Sequence, residues 1–218
     1  MKKILILVPV LAIVVGAYAY YQSQQRPTDS YVATDVTTSD ISTESGTSMA
    51  GGELATGKID MLYVVQGSVF GWKATKAGWF HTGTIAVSNG SLSVSNNAIT
   101  TGDFTVDMSS IKLLDITDPK FEWEIRDAFF EAPKYPTTTF IITTIKSEGT
   151  GSMVYGNLTI KDKTNAISFP AQITSSWDTM NVKASFSIDR SLRGLTMWNG
   201  MVNNYLEFNL DLSFSKSV

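Results

Sequence analysis

The sequence predicts an all-β domain of about eight antiparallel strands, interrupted once by a short helix. Two observations lead to this fold class. Apolar and polar residues alternate in short runs separated by Gly, Asn and Ser, as expected for strands with one buried and one solvated face. A single stretch, residues 121–140, breaks this alternation and spaces its apolar residues as a helix does. The pattern alone is compatible with both a sandwich and a closed barrel.

Composition excludes several functional classes. The chain has 218 residues, of which 43% are hydrophobic and 17% are charged, so it can bury a globular core. The absence of cysteine rules out disulfides, thiolate metal sites, a cysteine nucleophile and a lipidated cysteine. The net charge is −3, and it would be −5 without Lys2 and Lys3. Nucleic acid is not an expected partner, because it is bound by a basic face.

Residues 1–21 have the layout of an export segment. Two lysines precede an apolar run over residues 4–21, and Ala17-Tyr18-Ala19 offers a cleavage site of small residues. The run is also close to the length that spans a bilayer, with the lysines on the cytoplasmic side. A cleaved signal peptide and an uncleaved anchor would both export the domain to the periplasm or the cell surface. The anchor would also tether it to the membrane.

Residues 22–56 are rich in Ser, Thr, Asp, Gln and Gly, with few large apolar side chains. Such a segment cannot bury enough surface to offset the entropy lost on ordering, so we predict a disordered linker. The folded domain is then expected to span residues 57–218.

Ten strand-like runs flank the central stretch. Asn89-Gly90 is the strongest hairpin signal in the sequence and predicts a turn between the third and fourth runs. The last run is the clearest, because every second residue from Leu206 to Phe214 is apolar and the others are polar. The runs are residues 58–65, 68–76, 84–87, 92–94, 104–108, 137–145, 153–160, 166–174, 182–189 and 206–214.

The central stretch predicts one or two helical turns followed at once by a strand. Ile125, Phe129 and Phe130 share one face of the helix, and charged residues occupy the other. Two prolines end the helix, because proline lacks an N–H and favours extended backbone in the residue before it. We expect the aromatic face to close one end of the sheet, with Phe129 and Phe130 as the plug.

Three motifs follow one another along the domain. The first is RDAFFEAPKYPTTTF, residues 126–140, with its acidic residue, Phe pair and Lys-Tyr-Pro run. The second is GNLTIK, residues 156–161, and the third is Ile188-Asp189-Arg190-Ser191. In this order they resemble the signature of the YceI-like family, whose members are secreted bacterial lipocalin-like barrels that bind polyisoprenoid lipids. The resemblance covers roughly residues 58–216.

This resemblance implies a closed, lipocalin-like antiparallel β-barrel that binds a long apolar isoprenoid-type lipid in its interior, as a carrier or a store. The ligand would be a polyprenyl chain or an isoprenoid quinone, and no other cofactor is implied. Closure would also remove the exposed edges of long strands. The residues expected to line the cavity are Phe104, Val106, Phe129, Phe130, Phe140, Val154, Leu158, Phe186 and Trp198.

Little in the sequence indicates catalysis. His81 is the only histidine, and the chain has no phosphate-binding loop and no nucleophile elbow. We therefore expect no enzyme, no catalytic residue and no metal site. His81 either meets the lipid head group as a polar group at the barrel mouth or lies in a surface turn. For Arg190 we expect a structural ion pair that ties its strand to the helix.

Two other functions remain open from the residues alone. A barrel with a filled core would be a non-catalytic structural or interaction module displayed at the surface. A sandwich with exposed Trp72, Trp79 or Trp198 would instead bind carbohydrate, with the tryptophans as stacking platforms.

Overall fold

The computed structural model describes residues 30–36, 59–176 and 178–216. The predicted export segment, residues 1–21, and most of the predicted linker lie outside this part of the chain. Among the described residues, no helix is long and apolar enough to cross a membrane. The strands are β1 (Tyr31–Val32), β2 (Thr34–Asp35), β3 (Ile59–Val64), β4 (Val69–Lys76), β5 (Trp79–Ser95), β6 (Ala98–Leu113), β7 (Thr137–Glu148), β8 (Gly151–Ile160), β9 (Lys163–Ser176), β10 (Thr179–Asp189) and β11 (Val202–Ser215).

The long strands close into an antiparallel barrel with eight strand positions. Strands β5 to β11 pair in sequence order, each with the next. Strand β11 pairs with β4, which pairs back with β5 and closes the barrel. Strands β3 and β4 share one position, because β4 pairs with the first half of β5 and β3 with the second half. Residues 65–68 therefore interrupt one barrel strand without reversing the chain.

Each long strand places alternate side chains in the barrel interior. On β11 the five apolar side chains from Leu206 to Phe214 are buried, and the polar residues between them face outward, as predicted. The same alternation buries Phe104, Val106 and Met108 on β6. The interior side chains form one hydrophobic cluster. The closed barrel implied by the resemblance is confirmed, and a sandwich is excluded.

The hairpin predicted at Asn89-Gly90 is wrong. Strand β5 continues from Trp79 to Ser95, and the chain reverses at Asn96-Asn97, whose φ values are 49° and 65°. Two consecutive Asn residues supply the positive φ angles that such a turn needs. Gly90 instead packs closely inside the barrel, since it lies opposite Phe104 and an added Cβ would meet the Cβ of Phe104 at 3.1 Å.

Residues 30–36 lie in the segment expected to be disordered, yet they pair with the barrel. Strands β9 and β10 pair with each other only near their connection, through residues 172–176 and 179–183. Beyond these residues, β1 pairs in parallel with β10, and β2 pairs antiparallel with β9. We call residues 31–35 the seam segment. The expectation of disorder is wrong here, because the segment supplies hydrogen-bond partners for two strand edges that would otherwise be open.

Side chains also hold the seam segment in place. Ala33 is buried, and its N–H donates to the carbonyl oxygen of Ser187 over 2.7 Å. The carboxylate of Asp35 accepts a hydrogen bond from Nη2 of Arg193 at 2.5 Å. Arg193 is completely buried, and its Nε and Nη1 have no hydrogen-bond partner among the described residues. Asp35 is thus the carboxylate that neutralises this buried cation.

Replacement of Asp35 by asparagine is expected to lower the free energy of unfolding by about 2 kcal/mol, because a buried guanidinium loses its charged partner. Asp211→Asn is the matched control, since Asp211 pairs with Lys183 on the surface, where both side chains are more than half exposed. The control should cost less than about 1 kcal/mol. Urea denaturation of the full-length variants measures both losses, and equal losses would contradict a stabilising role for the seam segment.

Candidate functional site

A helix covers one end of the barrel, as predicted. Asp118 caps the N-terminus of helix α1 (Pro119–Trp123), because its carboxylate accepts hydrogen bonds from two backbone N–H groups of the first turn. The helix continues as a π-helical segment, Glu124–Phe129, in which the N–H of Phe130 donates to the carbonyl of Ile125. This wider turn places Ile125, Phe129 and Phe130 inside the barrel, where all three are buried.

An ion pair fixes the end of the π-helical segment. Glu131 has a φ of 54°, and its carboxylate accepts a hydrogen bond from Nζ of Lys161 at 2.5 Å. This hydrogen bond holds the pKa of Glu131 below its usual range. Lys161 follows β8 and ends the GNLTIK motif, and its side chain is almost completely buried. The first and second sequence motifs therefore meet at this pair.

An apolar chamber of about 190 Å³ lies beneath the helix. Its wall includes the aromatic residues Trp72, Phe121, Phe129, Phe130 and Trp198. The lining also includes the polar or charged side chains of Thr75, Lys76, His81 and Glu124. Three large side chains next to these lining residues are more than half exposed, and we call them the aromatic rim: Trp79, Phe80 and Trp123.

Hydrogen bonds from Arg190 hold the loop that contains Trp198. Arg190 is completely buried, and burial lowers its pKa. The expected ion pair with the helix is wrong, because the guanidinium donates to backbone carbonyls instead and contacts the helix only through the ring of Phe129, 5.8 Å away. Trp198 stacks on Phe129 at 5.6 Å between ring centroids. The carbonyls that accept from Arg190 are those of Leu195, Met197, Trp198, Val202 and Asn203.

His81 lines the chamber, and its side chain is partly exposed. Its Nδ1 is 2.8 Å from Oδ2 of Asp115, and its ring packs against Phe121. Burial would raise the pKa of Asp115, but hydrogen bonds from the N–H of Thr82 and from His81 lower it below its ordinary value of 3.8. Because the carboxylate accepts, Nδ1 carries the hydrogen. Nε2 makes no hydrogen bond to any described residue. Contact of His81 with a ligand stays a prediction.

Six phenylalanine rings form a closed ring across the waist of the barrel. They come from β4, β6, β7, β9, β10 and β11, and each contacts the next, with centroid distances from 4.0 to 6.2 Å. All six are buried. We call this layer the phenylalanine girdle; in order around the barrel it consists of Phe70, Phe104, Phe140, Phe169, Phe186 and Phe208.

Two strands of the barrel, β5 and β8, contribute no phenylalanine to the girdle. Each has a glycine next to a girdle residue. On β5, Gly90 lies opposite Phe104. On β8, Gly156 lies beneath the ring of Phe140, and an added Cβ would be 2.3 Å from Cζ of that ring. The glycine of the GNLTIK motif therefore lets Phe140 reach across β8 to Phe169.

Below the chamber, two small cavities lie among the described residues. A cavity of about 10 Å³ is lined by Phe130, Val106 and Leu158, together with girdle rings. Another, of about 20 Å³, is lined by Val154, Phe214 and girdle rings. Eight of the nine predicted lining residues are buried in the hydrophobic core, and Trp198 is partly buried against it. Of the nine, only Phe129, Phe130 and Trp198 line the chamber. Contact of the nine with a ligand stays a prediction.

Part of the chamber wall was not predicted from the sequence. Trp72 lines the chamber and is buried, so its consideration as an exposed stacking platform is wrong. The alternation of Phe70, Trp72 and Ala74 on β4 was the signal that could have placed it inside. Leu206 also lines the chamber. Among the described residues, no group of three or more His, Asp or Glu could hold a metal ion.

The fold and the chamber define a class of protein, a closed antiparallel barrel with an apolar internal site beneath a short helix. The sequence model of the YceI-like domain matches residues 63–214. The chain therefore belongs to the YceI-like family, and this membership supports a lipid-binding role for the barrel. Among curated proteins, none matches the chain.

Two solved structures have a similar fold. BcnA of Burkholderia cenocepacia is 19% identical, with a TM-score of 0.56 over 67% of this chain and 95% of that chain. A polyisoprenoid binding domain from Saccharophagus degradans, implicated in plant cell wall breakdown, is 13% identical, with a TM-score of 0.57 over 72% of this chain and 99% of that chain. At these identities the likeness shows the fold alone.

Proposed function

We propose that this protein binds an isoprenoid-type lipid, a polyprenyl chain or an isoprenoid quinone, as a non-catalytic carrier or store outside the cytoplasm. The observation that carries the proposal is the chamber, whose lining is mostly apolar and includes a few polar side chains. Burial of an apolar chain stabilises binding by ~25 cal/mol per Å² of surface removed from water. Family membership supports the ligand class, as does the likeness to a polyisoprenoid binding domain.

The polar end of the lipid would lie at His81. A hydroxyl group can donate to Nε2, since the hydrogen bond to Asp115 directs the ring hydrogen to Nδ1. A small number of polar groups beside an apolar wall is the usual way in which such a site orients its ligand.

The aromatic rim supports uptake of the lipid from a membrane surface, because Trp and Phe partition into the interfacial region of a bilayer. The layout of residues 1–21 supports export, and an uncleaved anchor over residues 4–21 would keep the barrel near that surface.

Native mass spectrometry of the gently extracted full-length protein tests the proposal. We expect a bound isoprenoid lipid, and we expect Trp198→Asn to reduce its occupancy at least tenfold, because one chamber wall becomes polar. Asparagine suits this position, since Trp198 has a φ of 58°. Tyr63→Asn is the matched control and should retain the bound lipid, because Tyr63 is an exposed aromatic residue that belongs neither to the chamber wall nor to the aromatic rim.

A wild-type protein that carries no lipid, and takes up no added polyprenyl lipid, would contradict the proposal. The barrel would then be a structural or interaction module. The small size of the cavities below the chamber would fit such a module, because its interior is filled by side chains.

A further inference from the structure

Two layers of described side chains lie below the chamber. Phe130 is the residue that lines both the chamber and the 10 Å³ cavity below it, so its ring separates the two spaces. Phe70 and Phe208 of the girdle form part of the floor of that cavity. The 20 Å³ cavity is lined by the girdle residues Phe104, Phe140 and Phe169 and shares no lining residue with the spaces above. A chain that enters at the mouth meets Phe130 first and the girdle second.

The girdle is braced against opening. Its closest contact is the stack of Phe169 on Phe186, at 4.0 Å between centroids and 9° between planes. These rings belong to β9 and β10, the two strands that separate at this level. The seam segment fills the gap between the strands, where Tyr31 pairs with Phe186 and Thr34 with Ser168. A strand hydrogen-bonded to both sides of the gap resists the widening that a passing chain would require.

We propose that Phe130 and the girdle set the length of isoprenoid chain that the barrel takes up, with Phe130 as the floor of the chamber and the girdle as the final barrier. This inference rests on the proposed function. The chamber of 190 Å³ has room for on the order of fifteen carbon-sized groups, since a water-sized group needs about 10–15 Å³ of such space. That corresponds to roughly three five-carbon units, and the rest of a longer chain stays outside the barrel.

Prenyl alcohols of two to six isoprene units, titrated against the full-length protein, test this inference. Isothermal titration gives the affinity, and the fluorescence of Trp72 and Trp198 reports on filling of the chamber. In the wild type, affinity should rise roughly fourfold for each further buried methylene group until the chamber is full. Each longer alcohol should then change the affinity by less than about twofold, because its added unit remains in solvent.

Two cavity-forming variants, one on each side of the girdle, test how far the lipid chain reaches into the barrel. We call the chain length beyond which the affinity stops rising the break in the length series. Phe130→Ala enlarges the chamber, so it should move this break to an alcohol about one isoprene unit longer. The affinity for that longer alcohol should rise at least tenfold. Phe214→Ala is the matched control, since Phe214 is buried and lines the 20 Å³ cavity on the far side. It removes the same ring but should leave the break in place. Urea denaturation confirms that both variants are folded, and the pair Phe130→Leu and Phe214→Leu replaces them if either is not.

The outcomes separate this inference from the proposed function. A wild-type length series without a break, or a break that Phe130→Ala leaves unmoved, would overturn the inference while lipid binding stands. A shift of the break in Phe214→Ala would show that chains cross the girdle, which also overturns it. Failure of every prenyl alcohol to bind the wild type would contradict the proposed function itself, and the inference with it.

Discussion

Replacement of Arg190 by methionine is expected to lower the free energy of unfolding by roughly 4 kcal/mol or more, and to abolish lipid binding. The guanidinium donates to five backbone carbonyls between Leu195 and Asn203, and the side chain is completely buried. Methionine fills much of the volume but donates no hydrogen bond, so the buried carbonyls of Leu195 and Asn203 lose the hydrogen bonds that Arg190 donates to them. The loop that holds Trp198 against Phe129 should then lose its fixed conformation.

Arg126→Met is the matched control for this prediction. The guanidinium of Arg126 pairs with the adjacent Asp127 and is about one-third exposed, so its loss should cost less than about 1 kcal/mol. Urea denaturation gives both values, and isothermal titration with a prenyl alcohol reports on the chamber. An Arg190→Met protein that unfolds at the same urea concentration as Arg126→Met would show that the buried hydrogen bonds do not support the barrel. Arg190→Lys should also be destabilised, because lysine has three donors on a single nitrogen.

Gly156→Ala is expected to lower the free energy of unfolding by about 3 kcal/mol, although alanine usually suits a strand better than glycine does. The added Cβ would lie 2.3 Å from Cζ of Phe140 and 2.5 Å from the carbonyl oxygen of Ile141. The second contact is with backbone that is paired in the sheet, so rotation of a side chain cannot relieve both. The ring of Phe140 should be displaced, which breaks its contact with Phe169 and opens the girdle.

Gly151→Ala provides the control on the same strand. Its added Cβ would be 3.3 Å from Nε2 of Gln172, the end of a flexible side chain that can move aside. The change should alter stability by less than about 0.5 kcal/mol, in either direction. Thermal denaturation of the two variants measures the difference. A melting temperature for Gly156→Ala within a degree or two of that for Gly151→Ala would contradict the packing role assigned to this glycine.

The sequence determined those features that depend on neighbouring residues. Alternation fixed which face of β11 is buried, because successive side chains of a strand point to opposite sides. The spacing of Ile125, Phe129 and Phe130 located the helix for the same kind of local reason. Closure of the barrel followed from the resemblance of three motifs to a family, since the alternation alone was equally suited to a sandwich.

Tertiary pairing decided the rest. Asn89-Gly90 has the composition of a turn, but packing against Phe104 and the positive φ angles of Asn96-Asn97 placed the turn later. The seam segment has the composition of a disordered linker, but it pairs with β9 and β10, two strands that lie far from it in the sequence. The girdle joins residues from six strands and the chamber residues from several elements, so their geometry depends on strand register across the whole barrel. Local alternation specifies which side chains enter the interior, whereas only the closed barrel determines how much space they leave.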